Sequence, residues 1–236
     1  MLVYFAYITL PDECMVHAHM FGDENDVNKS VRKAPNNARN YSVERKEGDD
    51  DISGEKVDSI RLMCEDNSPV HIRIRPGLKK FLEEISKINC EVYAFTAGLP
   101  VYARPVIKEI DPDGTIFKKV LYRDSCTEIR LNNSMFYSKD LKSFGTDIYD
   151  EKRTVLVDNN IFSFVINPNN GIHICEFYDA ADDRELEKVL ELITHLALVP
   201  DVRVPLNKIF QVDKTLTEIG IPPNSLRPIG SSRFRR

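Results

Sequence analysis

The stretch "RPGLKKFLEEISKINCEVYAFTAG", residues 75–98, holds the pattern from which the fold can be argued. Its first half has helical spacing. Leu78, Phe81, Leu82 and Ile85 fall on one face, and Pro76 fixes the start. Its second half, "CEVYAFTAG", changes period: a short apolar run closed by Thr96, Ala97 and Gly98 reads as a buried strand.

Working outward, "LPVYARPVIKEI" (99–110) has the look of a second helix and "DPDG" (111–114) that of a turn. "TVLVDNN" (154–160) is another β-branched run that ends in polar residues, and "GIHICEF" (171–177) is a further strand. Asp182 and Glu185 have the spacing of a capping box, ahead of a helix that carries Leu186, Val189, Leu190 and Ile193. Upstream, "VDSIRLM" (57–63) and "VHIRIR" (70–75) alternate apolar and polar residues around "CEDNSP", the pattern of a strand hairpin. Strands alternating with amphipathic helices predict an α/β sheet flanked by helices.

The chain opens on an apolar run, "MLVYFAYITL" (1–10), that leads into "PDECMVHA" (11–18). The run reads as a buried strand; as a signal-peptide core it lacks a charged leader. Strands ending at Asp12, Thr96 and Asp158 would put polar groups beyond their carboxyl tips, where ligands gather in sheets of this kind. Residues 22–56 are polar, charged and nearly free of large aliphatics. They predict a mobile surface insertion, either a solvated loop or one that binds a partner or is phosphorylated, because such a segment buries too little to offset its ordering entropy. The organisation expected is a first strand in residues 1–21, the insertion in 22–56, the body of the domain in 57–212 and a tail in 213–236.

Composition sets the bounds. The 236 residues are 42% hydrophobic and 29% charged, with a formal net charge of −5, ordinary for a globular domain and unsuited to nucleic-acid binding by bulk electrostatics. The five cysteines are scattered, with no CxxC pair, so neither a zinc site nor a disulfide framework is indicated and a reducing compartment fits. No run approaches the length needed to span a bilayer.

Five blocks carry a resemblance: "RPGLKKFLEEI", "VYAFTAGLPVYARPVI", "DPDGTIFKKVLYRDSC", "SKDLKSFG" and "VLVDNNIFSFVINPNNGI". In this order and spacing, from about residue 70 to 210, they resemble the small RNA-polymerase C-terminal-domain phosphatases, which include the NLI-interacting-factor-like proteins of the haloacid dehalogenase superfamily. "DECMVHA" is an isolated outpost near the start. The resemblance implies a Rossmannoid parallel sheet flanked by helices, with a β-hairpin insertion.

It also implies a chemistry. In the family one Asp attacks phosphorus to form an aspartyl-phosphate. A second, two residues on, protonates the leaving oxygen and later activates water. The second falls here on Asp12. Thr96 is implied to hold a phosphate oxygen, Lys139 to neutralise transition-state charge, and Arg123 to help hold a phosphorylated protein or peptide. Magnesium is implied between the nucleophile, the backbone of Asp12, and Asp158 with Asn159. Each has a plainer reading: a turn cap at Thr96, a solvated Lys139, a surface Arg123, an Asx turn at Asp158. His17 and His19, without a third ligand at metal spacing, make no metal site.

The nucleophile's own position falls on Leu10, with Pro11 between it and Asp12. A leucine can neither attack phosphorus nor ligate magnesium, and loss of a catalytic nucleophile costs on the order of 10⁶ in rate. The chain is therefore expected to be nearly inert. Two readings compete: a pseudophosphatase that keeps the pocket for binding, or a sequence whose first eleven residues are foreign to the natural protein. The family places such a domain in nucleus or cytoplasm. A phosphatase-like subunit of the mitochondrial presequence translocase is a further alternative, and it would need a targeting segment and a membrane span.

Overall fold

The computed structural model describes residues 4–8, 14–20, 41–50, 56–64, 69–131, 134–145 and 149–221. Its strands along the chain begin with β1 (Tyr4–Ile8), β2 (Val16–Met20), β3 (Tyr41–Asp50), β4 (Lys56–Cys64) and β5 (Pro69–Ile74). There follow β6 (Cys90–Phe95), β7 (Phe117–Leu121), β8 (Thr127–Leu131), β9 (Ser134–Ser138), β10 (Thr154–Asp158) and β11 (Gly171–His173). The helices are α1 (Leu78–Lys87), α2 (Pro100–Ile110), α3 (Glu185–Leu196), α4 (Arg203–Phe210) and α5 (Val212–Glu218).

Five strands form a parallel sheet in the order β11-β10-β1-β6-β7. The run at the start of the chain thus takes the central place, with Ile8 in register with Ala94 on one side and Val157 on the other. The chain moves outward from β1 through β6 to β7, then returns to the other side of β1 with β10. The reversal at β1 is the topological switch beyond which such sheets bind ligands. This is the haloacid dehalogenase-like α/β fold that the sequence blocks imply.

Both faces of the sheet are covered, which explains why Val92–Phe95 of β6 and Val155–Val157 of β10 are consecutive apolar residues without alternation. Val92 and Ala94 of β6, with Val155 and Val157 of β10, face a core built from α1, α2 and α3. The alternate residues Tyr93, Phe95 and Leu156 face a second core that includes Phe144, Phe164 and α5. The four α1 residues singled out by spacing are all buried. Each such side chain contributes about 2 kcal/mol by leaving water.

A second sheet, β2-β5-β4-β3, is antiparallel throughout. β4 and β5 are the expected paired strands. β3 is a correction, because residues 41–50 fall in the segment expected to be a mobile loop and instead pair along β4. Backbone pairing needs no apolar side chains, and β4's outer edge carries N–H and C=O groups that a neighbouring strand can satisfy. Glu44 stands opposite Arg61 in the register. The rest of that segment, 22–40 and 51–55, lies outside the described residues.

Two further expectations shift. Residues 213–236 do not start a tail: Val212, Leu216 and Ile221 are buried in the second core, so the body runs through at least Ile221. Val212 and Leu216 are four apart on one face of α5, a spacing too short to register as a separate helix in the sequence. The expected capping box at Asp182 and Glu185 is absent. It is Asp183, one residue later, whose carboxylate accepts the Glu185 N–H at 3.0 Å. The short hairpin of β8 and β9, and the edge strand β7, were not read from the sequence.

Candidate functional site

Thr96 follows β6, Asp158 ends β10, and Lys139 follows β9; all three are buried. The Lys139 ammonium donates to Asp158 Oδ2 at 2.6 Å, with the two side chains only 6% and 3% exposed. Its backbone is fixed as well: the Lys139 N–H donates to the Ser163 carbonyl at 3.0 Å, which also accepts the Ser138 hydroxyl at 3.1 Å. An ammonium has three donors. Among the described residues only one of them finds an acceptor.

Asp158 makes the Asx turn and is engaged at both oxygens. Its Oδ1 accepts the Asn160 N–H at 2.8 Å, an Asx turn, while Oδ2 takes the lysine. Asn159 sits between, nearly buried, with its carbonyl held 2.8 Å from His173 Nε2. Thr96 caps its turn by accepting the Gly98 N–H at 2.8 Å, which leaves the hydroxyl's own proton available. A Cβ added at Gly98 would stand 3.0 Å from that hydroxyl, so glycine keeps the space beside it open.

Arg123 is half-buried at the rim. Its Nε donates to the Ala97 carbonyl, its guanidinium lies 5.2 Å above the Tyr137 ring, and its terminal nitrogens find no acceptor among the described residues. Thr96 and Asp158 stand at the same end of the two parallel strands that flank β1; Lys139 is bonded to Asp158 and Arg123 to the Ala97 carbonyl, which places all three donor groups at that tip of the sheet. Asp12 and the nucleophile position, Leu10, lie outside the described residues. The motif is described again from Cys14, whose thiol comes within 4.0 Å of the Val157 carbonyl, beside Asp158.

Sequence reasoning missed three contributors. Cys126 reaches the Thr96 carbonyl at 3.8 Å, and burial pushes its thiol up to about 11, so it is no thiolate at neutral pH. Tyr137 supports Arg123, and would have been found had β9 been read as a strand. Arg75 is wholly buried and bonds to the Cys14 and Cys175 carbonyls at 2.7 and 3.0 Å. Nothing in its neighbourhood distinguished it from the other charged residues of "VHIRIR".

For a small divalent cation the donor set is poor. The described residues hold no group of three His, Cys, Asp or Glu side chains. Both oxygens of Asp158, the carboxylate that ends β10 at the tip, are already engaged by Lys139 and Asn160. With leucine at position 10, a tightly hydrated magnesium ion lacks the second carboxylate that would offset its dehydration. The residues present fit an anion better than a cation.

Residues 12–203 match the family described as NLI interacting factor-like phosphatase. A probable C-terminal domain small phosphatase of Dictyostelium discoideum is 37% identical over 139 residues, 59% of this chain and 42% of that protein. The human carboxy-terminal domain RNA polymerase II polypeptide A small phosphatase 1 is 34% identical over 133 residues, 56% of this chain and 48% of its own length. The chain thus spans less than half the length of these relatives. Among solved structures, a variant of the fission yeast RNA polymerase II CTD phosphatase Fcp1 bound to beryllium fluoride aligns with a TM-score of 0.46 at 22% identity, covering 92% of this chain and 56% of that one.

Proposed function

The chain belongs to the NLI interacting factor-like phosphatase family of the haloacid dehalogenase superfamily, and from that premise we propose that it binds phosphorylated serine or threonine side chains of proteins without hydrolysing them. The observation that carries this reading is the buried Lys139 ammonium, two of whose donors find no acceptor among the described residues, at the sheet tip that also carries Thr96. A buried charge with spare bonding capacity is costly unless a ligand uses it. In this reading a phosphoryl group takes the two free Lys139 donors and the Thr96 proton, while Arg123 grips the peptide.

Magnesium, the general cofactor of the superfamily's phosphatases, would supply charge to polarise the phosphoryl group. The donors present do not fit it, so no step runs through it here. Asp12 keeps the family's acid and base position, but protonating a leaving oxygen achieves nothing when no nucleophile displaces it. The loss is therefore expected in hydrolysis and not in recognition.

A second reading is an active phosphatase whose residue 10 is aspartate and not leucine. It is favoured by the family match, which begins only at Asp12 and leaves Leu10 and Pro11 outside. Transcript sequencing across codons 10–12 separates the two. In protein terms, Leu10→Asp with Pro11→Leu should raise aryl-phosphate turnover with magnesium by at least about 10³ over the parent. A folded double variant that stays at background would sink the idea that only the attacking carboxylate is missing.

The relatives' names make a phosphorylated RNA polymerase II C-terminal domain the first partner to try, and a partner of that kind would make the nucleus the first compartment to examine. No helix among the described residues is long and apolar enough to cross a membrane.

A further inference from the structure

We propose that Arg75 is a positioning residue for the phosphate pocket, clamping the chain that leaves the first motif to the chain that follows the Asp158–Asn159 tip. This rests on the pocket reading above. Arg75 is fully buried at the end of β5, and its Nε and Nη2 form a two-pronged pair with Asp183, each bond 2.8 Å. Were its role only to anchor α3, that pair would suffice, since Asp183 also accepts the first N–H of the helix. Its remaining nitrogen, Nη1, instead bridges two carbonyls far apart in sequence: Cys14 at 2.7 Å and Cys175 at 3.0 Å.

Both carbonyls belong to segments that carry the site. Cys14 comes two residues after Asp12, and the Arg75 N–H also donates to the Met15 carbonyl at 2.8 Å, so the segment is held twice. Cys175 follows Ile174, whose N–H donates to the Asp158 carbonyl at 3.0 Å. One planar guanidinium therefore sets the spacing between the first motif and the residue that orients Lys139. A lysine offers one point charge and cannot hold four acceptors in a plane. Loosening the clamp should let Asp158 and its ammonium drift while the remainder of the sheet stays packed.

The test is tungstate binding by calorimetry at 25 °C, well below the melting point of each protein, in Arg75→Lys, Asp183→Asn and the control Leu216→Ala. Leu216 lies in the core on the other face of the sheet, so its loss destabilises without touching the clamp. The clamp variants should weaken tungstate by about tenfold and the control by less than about twofold. Clamp variants that melt earlier yet bind tungstate like the parent would reduce Arg75 to a structural residue and overturn the proposal.

Should the parent itself not bind tungstate, the pocket reading fails and amide exchange judges the clamp alone. Exchange at residues 14–20 and 172–178 should then rise together in Arg75→Lys, with α5 unchanged; a rise in only one segment overturns it. If neither clamp variant folds, native-state exchange on the parent decides: the two segments open as one unit, or the clamp does not couple them.

Discussion

Arg75 with Asp183 and Lys139 with Asp158 are both ion pairs taken out of water, yet their surroundings differ in kind. Around Arg75 every direction is filled: two carboxylate oxygens, two carbonyls, and the Phe177 ring 5.6 Å from the guanidinium carbon. Around Lys139 there is one acceptor, with two donors left over among the described residues. Burial of a charge marks both. Spare bonding capacity marks only the second, and capacity is what a ligand can use.

If the first pair is scaffold and the second is site, they should respond differently to truncation. Asp183→Ala leaves a fully buried guanidinium without its carboxylate and should cost about 3–5 kcal/mol in urea denaturation. Lys139→Ala should cost about half of that or less, because Asp158 keeps the Asn160 N–H and water can enter where the side chain was. The reverse order would break the comparison.

The antiparallel sheet offers the next largest effect. Replacing residues 24–38 with a short turn should move the melting temperature by less than about 3 °C, since so polar a stretch offers little to a core. Extending the deletion through residue 50 removes β3 and bares the edge of β4, and should cost about 1–3 kcal/mol more. Equal effects from both deletions would show that β3 contributes nothing to stability.

Acid should weaken the scaffold pair. Burial alone would raise the Asp183 carboxyl, but the hydrogen bonds from Arg75 and the Glu185 N–H outweigh it and hold it below its ordinary 3.8. Its folded value is depressed, so the stabilisation is complete above about pH 5 and is lost progressively as pH falls further. Acid denaturation followed by circular dichroism should be steeper below pH 4 in the parent than in Asp183→Asn. Identical slopes would mean that Arg75 gains little from the charge. The smallest effect expected is at Gly98→Ala, where the new Cβ crowds the Thr96 hydroxyl and should weaken anion binding by roughly 1 kcal/mol.

The two pairs also differed in how far the sequence revealed them. The strands that carry Thr96 and Asp158 were legible because both faces of that sheet are buried and leave short runs of consecutive apolar residues. Lys139 was placed by its resemblance to a family block, since its partner lies nineteen residues away across β9 and β10. Arg75 was illegible. Alternation in "VHIRIR" puts it on the same outward side as Arg73, and Arg73 is indeed partly exposed, 3.2 Å from Asp179. One turn of the chain later the strand has ended and the start of α3 covers Arg75, a tertiary event with no local signature. β3 was missed for a related reason: edge pairing is a backbone property, and polar composition argues only against a core.

A phosphate pocket of this kind works without a metal. Calorimetric titration of the parent with tungstate in the presence of a chelator tests it most directly, alongside Lys139→Ala. Binding should be saturable in the parent, lost in Lys139→Ala, and unchanged when magnesium is supplied in place of the chelator. No binding in the parent, or binding that survives Lys139→Ala, would contradict it.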